Sequence, residues 1–383
     1  MPDLDVLVLG GGCAGLALAL RLADAGGGAP RTHVVEARAR YEDDRTWCFW
    51  SAAPHRFEGL IAASWNAFGV GHEGQLERYD CSATPYQMLP SLPYYEYALA
   101  RIEQSDRVTL DLQVRVEGDP VREGDRWAVP TDHGVLRARH VVDTRPPAAL
   151  PQAVLWQSFL GRVVRTAEPR FDAEAATLMD FTAPSSRGVQ FTYVLPISDR
   201  EALVETTVFG AQALGEADLT QDLDAALERL TPETSRSITR SEYGLLPMGL
   251  TARPTPKPWV QAGLFHGGAR PSTGYAFQRI QTWAEACAEA LLDGAPPLPA
   301  ARDTALRRSM DAVFLRVLRS EPERGPALLS RLFFAAPTDR VIRFLSDVGS
   351  TADALAVVRS LPPGPFLRAV GAALLQTPQR EVG

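Results

Sequence analysis

The chain has 383 residues, enough for two or three domains, and its hydrophobic content of 45% and charged content of 22% are those of a globular protein. A formal net charge of −7 argues against a nucleic-acid partner, which would normally require a basic face. The 4 cysteines are scattered without metal-ligand or disulfide spacing, so we expect neither a metal site nor disulfides, and a cytoplasmic location fits.

The first forty residues predict a nucleotide-binding unit. Residues 5–9 are a short apolar strand, and residues 14–25 are a helix dense in alanine and leucine. Between them Gly10, Gly12 and Gly15 have the spacing Gly-x-Gly-x-x-Gly. The first glycine permits the turn, the second lets a pyrophosphate approach the backbone, and the third lets the helix pack on the sheet. The phosphates would then lie at the N-terminus of the helix.

A second predicted strand, residues 32–35, ends in Glu36, roughly twenty residues beyond the glycines, where an acid accepts hydrogen bonds from a ribose diol. Cys13, Ala14 and Ala37 flank these positions and complete the predicted nucleotide site.

The next part of the chain mixes loops, strands and one helix. Residues 41–50 pass abruptly from charged to aromatic side chains, as an acidic loop leading into a core segment would. A helix is predicted over residues 94–104. Three strands follow, and the third leads back to the nucleotide sheet and ends before Asp143: residues 108–116, 126–129 and 135–142.

Residues 154–205 contain strand-length runs bounded by proline, serine and aspartate, which predict a second region built on an antiparallel sheet. The later elements are a helix, two extended segments and another helix: residues 219–230, 243–250, 259–264 and 273–292. Beyond a proline-rich stretch at 296–299 the chain is predicted to be helical to its end.

Two acids lie inside otherwise apolar strands. Glu205 follows Leu203 and Val204, and Asp180 follows Met179. Each carboxylate lies either on the solvent face of its strand or in a cavity. In a cavity, burial would raise its pKa and make it a proton donor. The sequence leaves both alternatives open.

A second turn of small residues follows Gly263 and includes Thr273, Gly274 and Tyr275 just before a predicted helix. Helix starts of this kind hold anions or polar rings through backbone N–H groups, and they also serve as ordinary caps.

Residues 5–17 resemble the FAD-binding start of flavoproteins related to p-hydroxybenzoate hydroxylase. Within that group, further stretches resemble the lycopene cyclases of bacterial and plant carotenoid pathways: residues 44–50, 179–181, 205–207 and 271–275. Their order and spacing agree as well, and the block containing Arg45 carries most of the specificity. The hydroxylases have Gly-Asp where this chain has Gly263 and Leu264, and this departure favours the cyclase branch.

The resemblance implies an α/β fold. It would have a Rossmann-like FAD-binding domain, an inserted antiparallel β-sheet substrate domain as in p-hydroxybenzoate hydroxylase, and a helical C-terminal region. The expected ranges are 1–75, 100–150 and 255–295 for the FAD-binding domain, 76–99 and 151–254 for the substrate domain, and 296–383 for the helical region.

The resemblance also implies a function, that of a flavin-dependent lycopene β-cyclase. This isomerase would convert the ψ-ends of lycopene to β-ionone rings, through γ-carotene to β-carotene, without net redox chemistry. Glu205 would protonate the terminal double bond, and Asp180 would support it by a hydrogen bond or by receiving the departing proton. Reduced FAD would be the active cofactor and NADPH the electron donor. The implied FAD-binding residues beyond the glycine turn are Arg45, Asp143, Gly263, Thr273, Gly274 and Tyr275.

Three alternatives stay open. A flavin-dependent monooxygenase or an isoprenoid double-bond reductase of the same fold would consume NADPH stoichiometrically. A carotenoid- or flavin-binding protein would have no catalytic activity.

Because linear carotenes dissolve in lipid, we expect peripheral attachment to a membrane. The candidate surface lies in residues 312–319 and 328–344, where arginines stand beside apolar side chains. The alternative is that these apolar side chains pack on the other domains: Phe314, Leu315, Leu318, Leu332, Phe333, Phe334, Ile342 and Phe344.

Overall fold

The structure, a computed structural model, describes residues 4–52, 54–72, 74–182, 186–232, 236–251 and 257–375. The described residues form three β-sheets and a layer of C-terminal helices. Within the same part of the chain, none of the helices combines the length and apolarity needed to cross a membrane.

The N-terminal sheet is parallel around its first strand. Its order is β8 (Val108–Asp111), β2 (Thr32–Val35), β1 (Leu4–Leu9), β11 (Gly134–Asp143), β10 (Arg126–Thr131) and β9 (Val121–Glu123), with β17 (Val260–Gln261) beside the end of β11. β1 pairs in parallel with both β2 and β11. The last four residues of β1 are fully buried, which explains why the β1 sequence is an unbroken apolar run.

Three helices pack together on one face of this sheet: α1 (Cys13–Asp24), α2 (Ser91–Glu103) and α4 (Phe277–Leu292). Almost all of α1 is buried, so its alanines and leucines face neighbours on every side. The packing of α2 against α1 differs from the expectation that placed residues 91–99 in the substrate domain.

The large sheet has the order β16 (Arg236–Leu250), β12 (Ala153–Thr166), β15 (Glu201–Gly210), β14 (Val189–Pro196), β13 (Ala175–Asp180), β5 (Ala67–His72) and β6 (Gln75–Asp80). All neighbouring strands are antiparallel except β13 and β5. The strand at residues 67–72 therefore belongs to this sheet, whereas the expected FAD-binding range extended to residue 75.

Side chains on β15 alternate between the two faces of the large sheet. Leu203 and Phe209 lie on the inner face, which packs against the C-terminal helices. Val204 and Val208 lie on the outer face, which is covered by α3 (Glu216–Leu230). Residue parity along a strand thus decides whether a side chain faces the helical layer or α3.

Five helices form the C-terminal layer: α5 (Ala305–Ser320), α6 (Gly325–Phe334), α7 (Thr338–Leu345), α8 (Thr351–Ser360) and α9 (Pro363–Leu375). A small third sheet, β3 (Thr46–Trp50), β7 (Tyr86–Pro90) and β4 (Ala63–Trp65), lies between this region and the N-terminal helices. The α/β fold with a helical C-terminal region is confirmed.

The apolar set expected to face a membrane is mostly core. Leu315, Leu318 and Phe333 are buried with the inner face of the large sheet, as are Leu332 and Ile342. Phe314 and Phe344 are partly buried against the same core, while the side chain of Phe334 is 41% exposed. The membrane surface predicted on this set is therefore wrong, because these residues pack on the other elements of the protein.

Candidate active site

The turn after β1 places the start of α1 against the end of the strand. Gly10 has φ +95°, a left-handed conformation that favours glycine. A Cβ on Gly15 would lie 1.9 Å from the carbonyl oxygen of Gly10, so only glycine allows the helix to begin this close to the strand. Gly12 is the N-cap of α1 and contributes no side-chain hydrogen bond to it.

Gly12 differs from the other two glycines in what surrounds it. A Cβ there would meet only the Arg38 Nη2 atom, at 3.7 Å, which is an ordinary contact. The protein's own packing therefore does not require glycine at this position. A phosphate group approaching the N-terminus of α1 would require it, so the turn fits the pyrophosphate of a dinucleotide.

Glu36 is buried at the end of β2 and is tied to the glycine turn. Its Oε2 accepts a hydrogen bond from the Gly11 backbone N–H at 2.6 Å, and its Oε1 accepts one from the Arg38 backbone N–H at 3.0 Å. The Tyr41 hydroxyl donates to the Gly11 carbonyl oxygen at 2.8 Å. Ala37 follows Glu36 and is exposed. This places a carboxylate next to the turn, where a ribose diol would bind.

Asp143 and Gly263 also reach the end of β1. Asp143 is the register partner of Leu9 and receives two hydrogen bonds from the Arg145 guanidinium, at 2.9 and 2.8 Å. Gly263 has φ +92°, and a Cβ there would lie 3.3 Å from the Ala14 Cβ. The structure therefore brings Ala14, Asp143 and Gly263 together with the glycine turn.

Arg45 lies between the glycine turn and the large sheet. Burial raises the pKa of the Cys13 thiol, at the start of α1, and the Arg45 charge opposes that rise. Burial raises the pKa of the Glu242 carboxyl, on β16, and the charge of Arg240 and then that of Arg45 oppose the rise. The Arg45 backbone N–H donates to the Ser91 hydroxyl at 3.1 Å, which fixes the loop before β3 to the start of α2.

Thr273, Gly274 and Tyr275 lie against the inner face of the large sheet. Gly274 has φ +73°, and a Cβ on it would be 2.6 Å from Oε1 of Gln157, on β12. Glycine is needed here for the close approach as well as for the backbone conformation. The Tyr275 ring makes an edge contact with Trp50, with the ring centroids 5.6 Å apart.

Glu205 is buried on the inner face of β15. Its Oε1 accepts a hydrogen bond from the Thr207 hydroxyl at 2.7 Å. Burial, and then the charge of Glu242, raise the pKa of Glu205 from 4.5 to about 8, while the Thr207 hydrogen bond and the Arg240 charge lower it by less. A carboxyl in this state holds its proton at neutral pH and can donate it.

Glu242 is a second buried carboxyl that the sequence analysis did not single out. Its Oε2 lies 2.8 Å from Arg240 Nη1 and accepts a hydrogen bond from the Thr46 hydroxyl at 2.8 Å. The predicted strand over residues 243–250 began just after it, whereas β16 starts at Arg236. Within a strand, an arginine and a glutamate two residues apart share a face, and that spacing was the available signal.

Asp180 lies on the opposite face of the sheet from Glu205. It is the register partner of Thr192, which pairs with Thr206, the outward-facing neighbour of Glu205. The Asp180 carboxylate lies 3.0 Å from the Arg229 guanidinium of α3. The structure therefore does not bring Asp180 and Glu205 together, because the register shift between Thr177 and Asp180 turns the Asp180 side chain towards α3.

A largely apolar cavity of about 450 Å³ lies between the large sheet and the C-terminal helices. Tyr193, the register partner of Glu205, lines it together with Tyr275 and Thr273. Most of the other lining side chains are aliphatic or aromatic residues of the sheet and of α5 to α9. The described residues contain no cluster of three or more histidine, cysteine or acidic side chains that could hold a metal ion.

This fold is shared with FAD-dependent monooxygenases and reductases. A geranylgeranyl bacteriochlorophyll reductase-like protein from Thermoplasma acidophilum superposes with a TM-score of 0.59 at 13% identity, covering 98% of this chain and 97% of that one. The p-nitrophenol 4-monooxygenase PnpA from Pseudomonas putida gives 0.59 at 17% identity, covering 94% and 98%. At this identity the likeness shows the fold alone.

The chain belongs to the lycopene cyclase family, whose model, described as lycopene cyclase protein, matches residues 5–370. A lycopene beta-cyclase from Pantoea ananas is 24% identical, over 97% of this chain and 98% of that protein. One from a Paracoccus species is 29% identical, over 98% and 97%. One from Pseudescherichia vulneris is also 29% identical, over 64% of this chain and 66% of that protein.

Because Gly12 is free of internal packing, we expect Gly12→Val to fold and to lose flavin. The valine side chain would occupy the space that a pyrophosphate needs at the N-terminus of α1, while the loss of a glycine N-cap costs only about 1 kcal/mol of folding free energy. Flavin absorbance after purification and thermal melting by circular dichroism measure the two effects.

Gly15→Ala is the matched comparison, since its Cβ meets backbone rather than open space. It should lower the melting temperature far more than Gly12→Val does. A Gly12→Val protein that purifies with its full flavin absorbance would contradict the proposed position of the cofactor.

Proposed function

We propose that this protein is a flavin-dependent lycopene β-cyclase, an isomerase that closes the ψ-ends of lycopene into β-ionone rings, through γ-carotene to β-carotene. The observation that carries the proposal is Glu205, a buried carboxyl whose pKa burial raises, on the sheet face that borders an apolar cavity. Membership of the lycopene cyclase family supports the same substrate class.

The residues at the N-terminal sheet fit FAD. Gly10, Gly12 and Gly15 would hold the pyrophosphate, Glu36 with Ala37 the ribose, and the segments around Ala14, Asp143 and Gly263 the rest of the dinucleotide. When bound in its reduced form, FAD supplies electron density that stabilises a positive charge nearby. We further propose NADPH as its electron donor.

Glu205 starts the proposed reaction. Its O–H bond breaks as the proton adds to the terminal double bond of the carotene, which leaves a tertiary cation and a Glu205 carboxylate. The neighbouring alkene then attacks the cation and a C–C bond closes the ring. Ring closure leaves a cation in the ring. An adjacent C–H bond then breaks, its electron pair forms the ring double bond, its proton returns to the Glu205 carboxylate, and no electrons are gained or lost overall.

The cavity lining suits such a cation. Phe209, Phe314 and Leu332 contribute apolar surface, and the Tyr193 and Tyr275 rings also line the cavity. Burial raises the pKa of both tyrosines, so their hydroxyls stay neutral. A water molecule would trap the cation as an alcohol, and apolar walls exclude it.

Glu205→Gln should abolish cyclisation while leaving folding and flavin binding intact. An amide of the same shape fills the same space but cannot give up a proton at useful cost. Loss of a general acid typically slows a reaction by about 10²–10⁴-fold, and we expect the upper end because this proton starts the reaction. Product analysis with lycopene in liposomes under excess reductant gives the measurement.

Glu201→Gln is a matched control, since Glu201 lies at the start of the same strand and pairs with Arg165 at 2.9 Å. It should cyclise lycopene like the unmodified protein. Near-normal β-carotene formation by Glu205→Gln would remove Glu205 from the mechanism.

Redox stoichiometry separates the proposal from the monooxygenase and reductase alternatives. We expect the reaction to require reduced flavin and to leave NADPH unconsumed once the flavin is reduced, because cyclisation only rearranges bonds. NADPH absorbance and carotene products, followed together without oxygen, give the number of NADPH molecules oxidised per carotene product. Stoichiometric NADPH oxidation would favour a reductase, and flavin binding with no product would favour a non-catalytic binding protein.

We place the proposed membrane attachment at the mouth of the cavity, on α8 and α9. Val358, Leu367 and Val370 line the cavity and are also 47%, 69% and 40% exposed. Arg359 and Arg368 are exposed on the same two helices. Apolar side chains that enter the acyl boundary beside basic ones that meet anionic headgroups would let a carotene pass from lipid into the cavity.

Leu367→Glu combined with Val370→Glu should release the protein from anionic liposomes at low salt, because two carboxylates would have to enter the lipid boundary. Sedimentation at low and high salt measures the bound fraction. Val121→Glu is the control, since Val121 is 59% exposed on β9 of the N-terminal sheet, and it should pellet normally. An unmodified protein that stays in the supernatant at low salt would contradict the attachment.

A further inference from the structure

We propose that Glu242 is a positioning residue of the site: its ionised carboxylate keeps the proton on Glu205, so that the two glutamates hold one proton between them. This inference rests on the proposed function for its role in the reaction. Its structural basis is independent, because it concerns the charge state of two side chains on the inner face of the large sheet.

The two glutamates face each other across a strand that has no side chain between them. β12 lies between β15 and β16, and its Gly161 is the register partner of both Glu205 and Glu242. The axes of β15 and β16 are about 9.5 Å apart, twice the spacing of neighbouring strands. A Cβ on Gly161 would lie 3.3 Å from the Glu205 Cβ and 3.3 Å from the Glu242 Cγ. The glycine thus leaves room for both side chains over the middle strand.

The surroundings of the two carboxyls differ in charge. Arg240 lies 2.8 Å from Glu242 and is itself held by the Asp43 carboxylate at 3.3 Å and by the Thr46 hydroxyl at 2.6 Å. Glu205 accepts a hydrogen bond from the neutral Thr207 hydroxyl. Burial raises the pKa of both glutamates, so one of the two is expected to hold a proton. The arginine assigns the negative charge to Glu242 and the proton to Glu205.

The other titratable groups around the pair are neutral or carry a fixed charge, and they include the Asp43 carboxylate, whose charge raises the pKa of Glu242. Cys48 on β3 and Tyr193 on β14 both face Glu205, and burial raises the pKa of each well above neutrality. Tyr86 is buried and Tyr275 partly buried beside them, and desolvation raises the pKa of both. Arg45 adds a positive charge on the Glu242 side. Between neutral and mildly alkaline pH, only the glutamate pair is expected to change charge.

This arrangement accounts for the charge balance when the carbocation forms, which a single carboxyl would not. When Glu205 gives its proton to the carotene, the site holds two carboxylates and one new carbocation. The second carboxylate lies beside the acid rather than in bulk solvent, so negative charge is already in place as positive charge develops. Loss of the ring proton to the pair restores one proton and one charge for the next turnover.

The test is Glu242→Gln, read by pH dependence. Glutamine keeps an oxygen that accepts from Thr46 and Arg240, and Arg240 keeps Asp43 as a partner. Removing the charge lowers the pKa of Glu205, and because activity needs the protonated acid, the alkaline limb of the kcat profile moves to lower pH. A shift of one pH unit corresponds to about a tenfold loss of kcat above the limb, with near-normal kcat well below it.

Infrared titration provides a readout that does not depend on turnover. The C=O stretch of a protonated carboxyl should disappear as pH rises through the alkaline range, be absent in Glu205→Gln and disappear at lower pH in Glu242→Gln. The inference would be overturned if, in Glu242→Gln, neither the pH at which the C=O band disappears nor the alkaline limb of the kcat profile moved. If no variant or parent protein forms cyclised product, the proposed function fails while the infrared result still decides the inference.

Gly161→Ala is a second variant in case Glu242→Gln does not fold. Its methyl group would enter the gap between the two glutamates and separate them slightly. The C=O band should then disappear at a lower pH than in the parent protein, with a smaller shift than in Glu242→Gln. Asp224→Asn is the control, since Asp224 pairs with Arg162 on the outer face of the same sheet, and it should change neither the band nor the limb. A Gly161→Ala protein that folds without any shift would count against the pair.

Discussion

A buried carboxyl is stable only when a cation pairs with it or when it keeps its proton. The inner face of the large sheet contains one carboxyl of each kind. Glu242 has Arg240 at 2.8 Å, whereas Glu205 has the Thr207 hydroxyl at 2.7 Å. The elements around them maintain this difference. The loop before β3 supplies Asp43, which pairs with the arginine, and the first residue of β3, Thr46, accepts a hydrogen bond from it.

The glycines show how two sites are built on one chain. Gly15 is needed for the contact between β1 and α1, and Gly274 for the contact between its loop and Gln157 of the large sheet. Gly12 and Gly161 are surrounded differently, because each leaves space for another group. The space beside Gly12 would fit a pyrophosphate, and the space beside Gly161 is taken by two carboxyl side chains. Arg45 lies between these two regions and acts electrostatically on both Cys13 and Glu242.

Local patterns were enough to predict the glycine turn, the acid Glu36 and the positions of most strands, because a strand, a turn and a helix are encoded within a few residues. They did not distinguish Glu205 from Asp180. Both acids lie in apolar strands, and only the pairing of β13 with β14 and the position of α3 send them to opposite faces. Glu242 was missed because β16 begins seven residues before the predicted start, at Arg236 rather than at residue 243.

The C-terminal helices show why an amphipathic pattern alone does not identify a membrane surface. Arg270 is fully buried, donates to the Phe344 carbonyl oxygen and lies over the Phe344 ring, 4.2 Å from its centroid. The Arg270 guanidinium also lies 3.2 Å from the Asp347 carboxylate and 3.4 Å from that of Asp311. The loop before α4 is thereby joined to α5 and to the end of α7 by charges that would be costly to separate. These helices are therefore part of the cavity wall, and the apolar residues that stay exposed at its mouth lie on α8 and α9.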